Sequence, residues 1–402
     1  MTVRESPGQR FARRELLRRG AMTAGALTAL PAFLAACGGD SETETGGGGG
    51  GETGAPASFA GTINYFSWQG YDLAPGVAYM EDWVANNGVT ISPSYAGNHN
   101  DITAKFTTGG GKGLFNLSTY MAGYGPFYVD LGIPGPIDTS KIPNFASLFE
   151  VFRSGDIADK WFVIDGAQRA IPFTWGLQGI NYDSAQIDAP ASYLDLLTPE
   201  FDGKVGIVDD VVAAHVIGAH VKGIFRVDSL YTPAEHEEIL SFWRDLKQNA
   251  RTVIASFGEM ADLFVAGEIV AGAPGWAAVN SFAAGKGMDT VSHTVPTEGS
   301  ATFCDAYMIP EGAEDLDPVY GFIDAALSPE AQAEEAAYLV QACVNPLALD
   351  LMDDATRALY PYDEIDQVLT QSAPLEAIPV EVPDGYVSFD DWNTAWEAFK
   401  AS

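Results

Sequence analysis

Apolar and polar positions follow two alternating periods along this chain. Residues 62–66 make a β-rich run that ends at Ser67-Trp68, and 77–86 carry helical spacing up to Asn86-Asn87-Gly88, where the glycine is a stop signal. Residues 89–92 predict a second strand, 102–108 a short helix and 115–119 a third strand. This β-α-β-α-β order predicts a mostly parallel sheet covered by helices.

A second series follows. Residues 204–208 predict a strand, 213–221 a helix, 233–249 a longer amphipathic helix capped by Thr232, 259–264 a helix and 268–273 a strand. Beyond Asp305, residues 307–310 predict a strand, 318–327 a helix, and Ser328-Pro329-Glu330 the opening of another helix that runs to Gln341. The period is not that of a solenoid. Two α/β lobes joined by crossing strands are expected.

The N-terminal segment reads differently. Arg13-Arg14 precedes an apolar run at 20–36 that ends Leu34-Ala35-Ala36-Cys37. This pattern resembles a twin-arginine export signal closed by a bacterial lipobox. Its 17 apolar-segment residues, broken by Pro31, fall short of the roughly 20 that a spanning helix needs. Residues 1–36 are therefore expected to be a cleaved signal, with lipid attached at Cys37. Residues 37–58, rich in Gly, Ser, Thr and Glu, predict a flexible tether that holds the body outside the cytoplasmic membrane. The 366 residues after the signal exceed one ordinary core, again in favour of two lobes.

Charge narrows the partners. Without residues 1–36 the chain carries 15 basic and 52 acidic residues, a net charge of −37. Such a body repels nucleic acid and anionic headgroups and attracts cations. Most of that excess is read as a solvated acidic surface suited to salt.

Catalytic and metal motifs do not emerge. The five histidines form neither HExxH nor a pairing with cysteine at ligand spacing, and His215 and His220 fall on different faces of one helix. G-x-S-x-G is missing, and Gly109-Gly110-Gly111-Lys112-Gly113 lacks the Lys-Ser/Thr of a phosphate loop. No enzyme activity, cofactor or metal is expected.

Aromatic and acidic residues instead gather where predicted strands end. Trp68 and Tyr71 follow the first strand, Asp209-Asp210 follow 204–208, Trp276 follows 268–273, and Asp305 comes just before 307–310. Open α/β sheets bind ligands at such ends. Rings and carboxylates together hold a cation, by face attraction and by charge-assisted hydrogen bonds.

These residues, with Asn64-Tyr65-Phe66-Ser67-Trp68, Ile137-Asp138-Thr139-Ser140-Lys141, Ile171-Pro172-Phe173-Thr174-Trp175-Gly176 and Pro199-Glu200-Phe201-Asp202-Gly203-Lys204, resemble the spermidine/putrescine-binding proteins of ABC importers. The resemblance runs from about 63 to the C-terminus. It implies an α/β, type II periplasmic-binding-protein fold of two lobes with the ligand cleft at the hinge. Lobe 1 would comprise 59–173 and about 305–345, and lobe 2 would comprise 174–304 and about 346–402. It implies a ligand site of Trp68, Gln69, Tyr71, Tyr124, Asp210, Trp276, Phe303 and Asp305, and delivery of the solute to membrane permease subunits.

Departures bear on the solute. Gly70 and Ala213 stand where triamine binders carry glutamates, and Met121 and Gly123 where they carry a hydroxyl residue and a tyrosine. Two matched acids suit a diamine or monocation better than a triamine, since a buried ammonium needs a counter-charge. A sugar or other neutral solute is the alternative, and an exported hydrolase a more distant one. The same alignment places Cys304 and Cys343 in cleft-lining segments, which implies a disulfide between them.

Overall fold

The computed structural model describes residues 59–402 apart from 69, 97–98 and 373–377. The signal, the tether, Cys37 and Gln69 lie outside the described residues.

Three strands, β1 (Gly61–Ser67), β2 (Val89–Tyr95) and β3 (Leu117–Met121), run parallel with β1 in the middle. A small antiparallel pair follows, β4 (Val163–Ile164) and β5 (Ala167–Gln168). After β6 (Ile171–Asp183), a second parallel trio places β7 (Val205–Val208) between β8 (Ala250–Ile254) and β9 (Ala271–Trp276). The remaining strands are β10 (Val291–Thr294), β11 (Ala301–Met308) and β12 (Ala342–Cys343).

Apart from the β4-β5 pair, one sheet links these strands, in the order β2-β1-β3-β11-β6-β9-β7-β8, with β10 and β12 also paired to β6. Each parallel trio is bordered by one antiparallel strand, β11 on the first and β6 on the second, and these two pair with each other. They join the two parallel trios.

Local signals account for many element ends. Gly88 adopts φ 67° after helix Ala78–Asn87, a left-handed conformation that costs glycine little. Thr232 and Glu235 form a reciprocal capping box on helix Pro233–Asn249. Helix Val211–Val221 is apolar nearly all round and is buried accordingly.

Several elements differ from expectation. β3 begins two residues late and β9 three, so Trp276 is the last residue of its strand. β11 starts at Ala301, which puts Asp305 inside the strand instead of before it. Apolar side chains after residue 346 divide between cores. Ala348, Tyr360, Tyr362, Ile365, Leu369 and Ile378 pack with Ile63 and Leu117, whereas Trp396 and Phe399 pack with Val205, Ile207 and Trp243.

The disulfide is not made. Cys304 and Cys343 are both buried and free. Cys304 lies opposite Trp175 on one edge of β6, while Ala342-Cys343 lies opposite Trp175 and Thr174 on the other edge. Two strand spacings, about 10 Å, separate them. Bridging fails beyond roughly 7 Å between Cα atoms.

Candidate functional site

The site is built on the ladder between β11 and β6. Over 301–305 and 174–178 the register is regular, pairing Asp305 with Thr174, Phe303 with Gly176 and Ala301 with Gln178. Alternate residues of a strand share a face. Asp305, Phe303, Thr174, Gly176 and Gln178 therefore line one face, and Cys304 and Trp175 the other.

At one end of that face a directed hydrogen-bond chain converges on Asp305. Thr174 Oγ1 donates to Gln341 Oε1 at 2.9 Å, Gln341 Nε2 donates to Tyr71 Oη at 3.0 Å, and Tyr71 Oη donates to Asp305 Oδ2 at 2.5 Å. All four side chains are buried. Tyr71 is also braced edge-on by Phe173, 5.0 Å between centroids. Burial pushes the Asp305 carboxyl up to about 6, and the Tyr71 bond opposes that rise. Oδ2 is occupied by the phenol, and among the described residues no bond to its partner oxygen is made.

In the middle, the Phe303 ring covers Gly176, and a side chain on that glycine would collide with it. Trp276 meets Phe303 edge-to-face at 6.3 Å and is itself held by Phe257 and Phe282. Its backbone is fixed from both sides by Asn181, which accepts from Trp276 N at 2.7 Å and donates to Trp276 O at 2.9 Å.

At the far end, Gln178 Nε2 donates to Asp210 Oδ2 at 3.2 Å. Asp210 is also the N-cap of helix Val211–Val221, its Oδ1 accepting from Ala213 N at 3.0 Å. Burial raises its carboxyl above the usual range, against the pull of the Ala213 amide and Gln178. The charge of Asp210 also acts on Tyr124, whose phenol is raised mainly by burial and then by Tyr128 and Asp210. Beside Asp210 is a cavity of about 30 Å³, lined by Met121, Trp161, Val212, Thr302, Cys304 and Ile378 among others.

Residues 119–368, more than half of the chain, match the family described as bacterial extracellular solute-binding protein. This chain belongs to that family. A putrescine-binding periplasmic protein of Pseudomonas aeruginosa is 23% identical over 325 residues, 75% of this chain and 84% of its own. The spermidine/putrescine-binding periplasmic protein of Escherichia coli K12 is 25% identical over 329 residues, 79% of this chain and 88% of its own. The crystal structure of a spermidine/putrescine ABC transporter substrate-binding protein from Streptococcus pneumoniae shares the fold with a TM-score of 0.64 at 18% identity, over 84% of this chain and 97% of that one.

Within this family member the eight residues named from sequence divide into groups. Tyr71 joins Asp305, Trp276 joins Phe303, and Asp210 acts on Tyr124. Trp68 is half-buried against the first core, next to Tyr71, whose amide bonds its carbonyl. Sequence reasoning missed Thr174, Gln178 and Gln341. Gln341 did carry a signal, as a lone polar residue in the apolar stretch Leu339-Val340-Gln341-Ala342. His215 is packed against Trp392 at 4.2 Å and bonded to His236, and among the described residues no group of three His, Cys, Asp or Glu could hold a metal.

Proposed function

We propose that this chain is the receptor of an ABC importer for a small polyamine of the putrescine type or a related organic cation. It binds and delivers its solute and catalyses no reaction. The observation that carries this reading is the shared face of β6: Thr174 beneath Asp305, Gly176 beneath Phe303 and Gln178 holding Asp210. The β6 partners of the two acids, Thr174 and Gln178, stand four strand residues apart, about 13 Å along the backbone, with the Phe303 ring between them. A short alkyl chain with an ammonium at each end answers that pattern. Each ammonium meets a carboxylate whose charge burial disfavours, and the methylenes lie against Phe303 and Trp276.

Asp305, Tyr71 and Gln178 are buried, so uptake of a solute onto this face requires the walls to separate. Lobes that part and close about β6 and β11 would provide this, and the closed form would be what the permease recognises. In this reading the lobes are those expected from sequence, with Ala348, Tyr360, Tyr362, Ile365, Leu369 and Ile378 moved to the first. Cys37 carries lipid, and the receptor is anchored on the outer face of the cytoplasmic membrane.

A thermal-shift panel of diamines, triamines, betaines, amino acids and sugars tests the assignment. Putrescine at 100 times its dissociation constant adds about 2.7 kcal/mol of apparent stability. Stabilisation by a sugar with no response to any amine would overturn the polyamine reading and leave the receptor class standing.

A further inference from the structure

The cavity beside Asp210 has a requirement opposite in kind to the one a diamine meets. Trp161 and Thr302 line it, 2% and 7% exposed, and among the described residues neither the indole N–H nor the hydroxyl has a hydrogen-bonding partner. An indole nitrogen only donates, and so does an ammonium. An amine seated at Asp210 therefore serves the carboxylate and leaves Trp161 unserved. Asp210 cannot help, since its oxygens already accept from Ala213 and Gln178 while its remaining lone pairs suit the ammonium. Thr302 can donate or accept, so an oxygen atom in the cavity suits its hydroxyl as well. The apolar walls supplied by Val212, Val216 and Ile378 keep the space too narrow for a ring.

We propose that this cavity is an oxygen-accepting subsite adjoining Asp210, so that the solute is a cation bearing a hydroxyl or carbonyl oxygen close to one ammonium. This rests on the polyamine reading above and narrows it. The oxygen belongs to the solute or to a buried water; either one offers an acceptor to Trp161, and the two sources are separable by experiment.

Calorimetric titrations of the soluble body with putrescine and with 1,4-diamino-2-butanol, on the wild type, Trp161→Phe and Thr302→Val, make the test. The hydroxylated diamine binds the wild type about fivefold or more tighter, the worth of one recovered hydrogen bond, and both variants erase that advantage. If the two amines bind the wild type alike and both weaken in the variants, the subsite stands with water as the oxygen. Should neither variant change either affinity, the subsite is overturned and the polyamine reading survives. Binding of neither amine overturns both. Thr302→Val, the smaller change, decides the matter if Trp161→Phe fails to fold.

Discussion

Phe303 closes over Gly176 so tightly that a Cβ on that glycine would come 2.3 Å from the ring's Cζ and 2.6 Å from Cε1. The glycine lets the ring lie flat on the ladder between the two acids. Gly176→Ala forces the ring outward, at about 1–3 kcal/mol for overpacking. Solute affinity is expected to fall by about tenfold or more, while the far-ultraviolet circular dichroism spectrum stays unchanged. An unaltered affinity would remove Phe303 from the site.

Asp305 makes binding pH-dependent. Its folded value of about 6 lies above the usual 3.8, so between those values the folded chain holds a proton that the unfolded chain has lost. The associated stability is fully present below about pH 4 and is lost as pH rises through 6, on the order of 3 kcal/mol. A cation needs the ionised form, so affinity weakens as pH falls below 6, approaching tenfold per pH unit. Asp305→Asn should flatten that pH profile, stabilise the ligand-free protein at pH 7 and weaken a cationic solute by about 2–5 kcal/mol. Calorimetry between pH 4.5 and 8 checks all three.

Tyr71 holds that acid partly ionised. Tyr71→Phe deletes a side-chain bond that pulls the Asp305 carboxyl down, so the pH midpoint of binding moves upward. The variant also leaves Gln341 Nε2 without its acceptor. A midpoint that stays put would show that Tyr71 does not act through Asp305.

Asp209, next to Asp210, ties down the C-terminal helix Phe389–Ala401. It accepts from Trp396 Nε1 at 2.8 Å and from Lys400 Nζ at 2.7 Å. Asp209→Ala strands a mostly buried indole N–H, and the part-exposed lysine contact adds little. A loss of about 1–2 kcal/mol, or a Tm lower by about 2–4 °C, is expected by calorimetric scan.

Thiol chemistry checks the geometry around β6. Protein lacking residues 1–58, denatured without reductant, should titrate two thiols, one from Cys304 and one from Cys343. Zero would mean that the strands flanking β6 are wrongly placed.

Much of the outer architecture was legible. Helix Pro233–Asn249 begins at the capping threonine and ends where its apolar stripe does, and helix Ala78–Asn87 stops at Gly88. These are local signals, read within a turn of the residue concerned. The crossing strands were harder. β6 contains Gly176, Gln178, Gly179 and Asn181, residues that argue against a strand taken alone, yet nearly the whole strand is buried. Partners on both of its edges make that composition stable, and those partners are distant in sequence. Thr174 and Gln341 meet across 167 positions, which no periodicity reveals. The cysteines failed for the same reason: alignment brought both near the cleft, but only the pairing shows that β6 runs between them.

The register of the sheet breaks between Asp305 and Ala306 on β11 and between Gly179 and Asn181 on β6. The uninterrupted rungs that carry Thr174, Gly176 and Gln178 fall between those two irregularities. Those rungs hold Thr174 and Gln178 at one spacing along the ladder, so in the proposed receptor they would act as a ruler for the length of a guest.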